Sequence, residues 1–154
     1  MTQAVVAGAL VVAVLNAVSG LLGAWLWYHG QPSERYASAF WLLLRVGQGS
    51  VLTLALVVGS LAAAGKYSSD SLFYLYALLP LAIGFVAEQL RVSAAQTILD
   101  QRELPDAQAV GGLPEAEQRI LVAEIMRREL GVMATAALVV VFLALRAAGT
   151  AHGF

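Results

Sequence analysis

Cysteine is missing from all 154 residues. Its absence excludes disulfides, thiolate metal sites, iron–sulfur clusters and thiol redox chemistry together. Charge is scarce as well: 12% of residues are Asp, Glu, Lys or Arg, against about 25% in an average soluble domain. Histidine occurs twice, as His29 and His152, too few for an all-histidine metal site. The net charge of −1 gives no global field that would draw in nucleic acid. No glycine-rich phosphate loop, dinucleotide fingerprint or HExxH zinc motif occurs in the chain.

What is abundant is apolar surface. Hydrophobic residues make up 60% of the chain, and mean hydropathy is +0.76. A soluble globule of this length would leave many of those side chains in water. The composition therefore predicts a membrane protein, with the lipid bilayer as its first partner. Four apolar runs fall at about residues 4–28, 37–64, 71–87 and 130–148. At about 1.5 Å per residue each covers most of a hydrocarbon core about 30 Å thick. The first run starts at Met1-Thr2-Gln3 without a basic residue and ends at Trp25-Leu26-Trp27-Tyr28. Neither end resembles a cleaved signal peptide, so it reads as a retained helix.

Punctuation between the runs agrees with this division. Gly30-Gln31-Pro32-Ser33 ends the first helix, and Ser33 is placed to cap the second. Gly65 to Asp70 forms a polar turn in which Ser69 or Asp70 is placed to cap the third. Pro114 opens the last helix, with Glu115 and Glu117 near the positive end of its dipole.

The third run does not stop at residue 87. Residues 88–103 lack Pro and Gly and keep an apolar face through Leu90, Ile98 and Leu99. The last helix starts at about residue 114, where Ile120, Leu121, Ile125 and Met126 recur at helical spacing among charges. The predicted fold class is all-α: a single transmembrane domain over 1–154, an integral membrane four-helix bundle whose third and fourth helices extend into a cytoplasmic hairpin. That 88–129 hairpin is a candidate docking face for a cytoplasmic partner.

Basic residues set the orientation. Arg35, Arg45, Arg91, Arg102, Arg119, Arg127 and Arg128 share one side of a four-span chain, and Lys66 and Arg146 lie on the other. The positive-inside rule then puts both termini outside and the long third loop in the cytoplasm. Richness in Ala, Val, Leu, Gly and Arg suggests a bacterial cytoplasmic (inner) membrane. Aromatic belts match: Trp25, Trp27, Tyr28, Tyr36 and Trp41 on the inner side, Tyr67, Phe73, Tyr74 and Tyr76 on the outer.

Counting residues from the outer ends brings Arg45, Glu88 and the Arg128-Glu129 pair to one depth near the inner boundary. Gln48 and Gln89 belong to the same polar layer. It is a candidate gate, ligand contact or structural clasp, and an Arg45–Glu88 pair is its cheapest arrangement. On the first helix Ala9, Ala13, Asn16, Ala17, Gly20 and Ala24 form a small-residue face. On the second Arg45, Gly49, Thr53, Leu56 and Ser60 form a stripe, and on the third Ala77, Pro80, Gly84 and Glu88 form another. These three faces are expected to meet, because small residues let helices approach closely in lipid. Pro80 is expected to bend the third helix.

No catalytic constellation, cofactor motif or metal site is read from the residues. The leading functional expectation is a structural, accessory or assembly subunit that self-associates as a homo-oligomer or joins a membrane partner subunit. The alternatives are an oligomeric transporter or channel using Arg45, Gln48, Glu88 and Gln89, and a membrane enzyme or binding protein for a lipophilic ligand.

Overall fold

In a computed structural model the described residues are 2–30, 33–105 and 107–153. Gln31 and Pro32, read above as part of the first turn, lie outside them. The described elements are all helical: α1 (Thr2–His29), α2 (Glu34–Ala63), α3 (Leu72–Gln101), α4 (Ala107–Val110) and α5 (Glu115–Thr150). The four long ones are each long and apolar enough to cross a membrane. α4 is a single turn inside a stretch expected to be loop.

Local signals explain most boundaries. Asp70 accepts the backbone N–H of Leu72 at 2.9 Å, holding the start of α3. Ser33 precedes α2 in extended conformation but makes no side-chain cap. Glu115 and Glu117 occupy the first turn of α5 after Pro114. α3 ends where Glu103 adopts φ 56° and Leu104 N donates back to Leu99 O at 3.0 Å. That is a left-handed cap with Glu where glycine is usual. α3 runs without interruption through Pro80.

α1 lies against α5 on one side and α2 on the other, and α3 lies against α5; α2 and α3 barely meet. Small residues make the central contact. A Cβ on Gly20 would stand 2.9 Å from the Leu138 side chain, and one on Gly23 would collide with Phe40 and Ala134. Ala9, Ala13, Ala134, Ala137, Ala144 and Ala147 are buried, while Leu21, Leu42, Leu56, Phe85 and Phe142 face outward. Small residues at the helix contacts and many large apolar side chains facing outward is the arrangement expected where the surrounding solvent is lipid.

Three apolar clusters run along the molecule. One joins Val12, Val58, Phe73 and Ala147. A second joins Leu26, Phe40, Leu130 and Met133. A third joins Ile98, Leu99 and Leu121 at the far ends of α3 and α5, padded by Leu104, Val110 and Leu113. Beside it Arg102 Nη2 donates to Glu124 at 3.0 Å. At the opposite end the chain closes on itself. Ser69 N and Ser68 Oγ donate to His152 O at 2.9 Å and 3.0 Å, and Tyr74 Oη accepts from Ser68 N at 2.9 Å.

Candidate functional site

Glu88 is the hub of the polar layer. Its Oε1 accepts from Arg45 Nη1 at 2.7 Å and from Gln48 Nε2 at 3.2 Å. Its Oε2 accepts from Arg91 Nε at 3.0 Å. Arg45 Nη1 also donates to Gln48 Oε1 at 2.8 Å, so the two α2 side chains brace each other before they reach α3. Arg91 Nη1 stands 3.9 Å from Glu129 Oε2, and its guanidinium lies over the Trp41 ring, 5.3 Å from the centroid. Two guanidinium groups and two carboxylates thus link α2, α3 and α5, and their formal charges cancel.

Helical spacing decides which expected members join. Arg45 and Gln48 are three residues apart and share a face, as are Glu88 and Arg91. Arg91 joins the layer beyond the residues expected from depth, and its i, i+3 relation to Glu88 is visible in the sequence. Gln89 and Arg128 do not belong to it. Each follows or precedes a member by one position, about 100° round the helix. Gln89 is exposed. Arg128 is exposed and borders a different hollow, with Trp27 and Gly131.

The packing residues divide in the same way. Asn16 is 2% exposed. Its Nδ2 donates to Val12 O at 2.9 Å within α1 and to Gly47 O at 3.5 Å on α2. Gly47, not Gly49, is therefore the α2 glycine that meets Asn16 of α1; a Cβ there would sit 3.1 Å from Asn16 Oδ1. Two positions on, about 200° round the helix, Gly49 faces away with nothing within 4 Å of a Cβ. Thr53 is exposed and its hydroxyl bonds back to Gly49 O at 2.9 Å. The expectation that this α2 stripe meets α1 and α3 is corrected: only its Arg45 end, with Gln48 beside it, reaches a neighbour. Gly20 packs on α5, Pro80 is buried, and Gly84 is half-buried with nothing within 4 Å of a Cβ.

α2 and α3 make little contact, and beside the polar layer a cleft of about 250 Å³ opens between them, over α1 and α5. Asn16 and Met133 contribute to its lining from α1 and α5; Val51, Pro80, Leu81 and Phe85 line it from α2 and α3. Arg45, Gln48 and Glu88 close one end. The histidines lie apart from it. His29 Nδ1 is 2.8 Å from Trp25 O, and its ring packs 4.6 Å from the Trp25 ring. Among the described residues no three His, Asp or Glu side chains gather as a metal site. Comparison with protein families, with characterised proteins and with solved structures finds no match.

Proposed function

We propose that the chain is a structural or accessory membrane subunit that acts through lateral helix–helix contacts, chiefly with a second copy of itself. The four long helices form a bundle in a bacterial inner membrane. Both termini lie outside, and the Ile98–Leu99–Leu121 end of α3 and α5 projects into the cytoplasm as a hairpin. The arginine asymmetry supports this orientation, since Lys66 and Arg146 alone among the basic residues lie at the other end.

The observation that carries the association is the outward face of α2. Gly49, Thr53, Gly59 and Ser60 are exposed there, and a Cβ on Gly49 or Gly59 would meet nothing within 4 Å. The Thr53 and Ser60 hydroxyls bond to their own helix at 2.9 Å and 2.8 Å, so they make no polar demand on a partner helix that packs over the small positions and the exposed Leu56 between them. A hydrated transport path would need polar lining along its length. The α2–α3 cleft has polar groups at one end only, so transport is the weaker reading.

The cysteine-free chain gives crosslinking a clean background. Thr53→Cys in native membranes should oxidise to a covalent dimer, while Phe142→Cys, exposed on α5, should not. A Thr53 photo-crosslink to a different protein would transfer the contact to a partner subunit. Equal crosslinking at both positions, or none at Thr53, would remove the α2 interface.

A further inference from the structure

We infer that the cleft between α2 and α3 is a phospholipid site: it seats one acyl chain, with the lipid phosphodiester held by Arg45. This rests on the membrane placement proposed above and not on self-association.

Charge carries the first half of the argument. Arg45 meets both Gln48 and Glu88 through a single nitrogen, Nη1. Among the described residues no acceptor engages its Nε or Nη2, and the side chain is 54% exposed. A guanidinium has five N–H donors, so three stay directed away from the clasp. A planar fork of that kind matches two oxygens of a phosphodiester. Glu88 does not compete for the ligand, because Arg45, Gln48 and Arg91 already satisfy its two oxygens.

Shape carries the second half. Beyond Arg45 the lining turns apolar, through Val51, Leu81, Phe85 and Val140. From Glu88 back to Pro80 the cleft follows eight residues of α3, about 12 Å of helix, within the roughly 15 Å of one leaflet's hydrocarbon. Gly84 lies midway and holds the space open. Leu81 and Phe85 of its lining are themselves exposed, so the cleft is open to the molecule's surface. An empty apolar groove there would forfeit dispersion contacts that a lipid tail supplies. A headgroup at the charged end and a tail along the groove is the polarity of a phospholipid in the inner leaflet.

The test is native mass spectrometry of delipidated protein titrated with phosphatidylglycerol and, separately, with diacylglycerol of the same chains. One phosphatidylglycerol should bind per chain, and diacylglycerol about tenfold more weakly, as expected for loss of a charge-assisted contact. Arg45→Gln should lower phosphatidylglycerol affinity about tenfold. A Cβ on Gly84 meets nothing within 4 Å, so Gly84→Leu should enter the groove and abolish the complex while circular dichroism and thermal unfolding stay as in the wild type. Gly149→Leu, also facing open space, should bind normally. Equal affinity for the two lipids, or undiminished binding by Gly84→Leu, overturns the site.

Discussion

At the scale of residues, Glu88 organises the interior boundary more than its partners do. It receives three donors from two helices, whereas Arg45 and Arg91 each retain other contacts without it. Removing Glu88 leaves two guanidinium groups facing one another; removing Arg45 leaves Glu88 with Gln48 and Arg91. Glu88→Leu should therefore destabilise the protein more than Arg45→Leu. In a double-mutant cycle the pair should couple by about 0.5–1 kcal/mol, a modest value because Arg45 is largely exposed. Strict additivity in thermal or denaturant unfolding would contradict the pairing. The Arg45–Glu88 pairing followed from counting residues, because a charge near lipid must find a partner at its own depth. Arg91 was equally within reach of that logic, one helical turn from Glu88. Gln89 and Arg128 share the depth of the layer but not its side of the helix, and depth ignores the angle about the helix.

At the scale of elements, the helices were clear from the sequence and their facing sides were not. Apolar length and polar turns place α1, α2, α3 and α5 closely, since a run of about 20 apolar residues has few other fates. A helix in water advertises its buried side through amphipathicity, but a helix in lipid is apolar all round. Small residues were the remaining guide, and α2 carries them on two sides: Gly47 toward Asn16, and Gly49 and Thr53 toward the exterior. Nothing in one sequence distinguishes a small residue that meets its own chain from one that faces away. The seam through Gly23 and Phe40, and the Ser68–Ser69–His152 closure, depend on the same unseen rotations. Beyond the spans the ordinary rules return. Leu121 is fully buried against Ile98 and Leu99 among charged neighbours. Leu121→Ala should cost about 2–4 kcal/mol of local stability. Hydrogen exchange should rise between residues 95 and 125 and stay unchanged near Val12 and Phe73. A uniform rise along the whole chain would instead mean that this end does not open separately.

At the scale of the whole molecule, composition, charge placement and packing describe one object. The scarce charges concentrate toward one end, and the exceptions Lys66, Asp70 and Arg146 mark the other. Arg127 over Trp27 at 5.6 Å and Arg146 over Tyr76 at 5.4 Å put a cation–aromatic pair near each boundary. Alanine and glycine line much of the inter-helix contact, and many large aliphatic and aromatic side chains face outward. The polar clasp, the α2 strip and the α2–α3 cleft have their proposed meanings only if the four helices cross a bilayer in alternating directions. Substituted-cysteine labelling in intact cells with a membrane-impermeant maleimide tests that most directly. Tyr67→Cys, exposed in the α2–α3 turn, should label from outside. Gln108→Cys, exposed in α4, should label only after the cells are opened. Labelling of both positions from outside would contradict the four-span account, and labelling of Gln108→Cys alone would reverse its orientation.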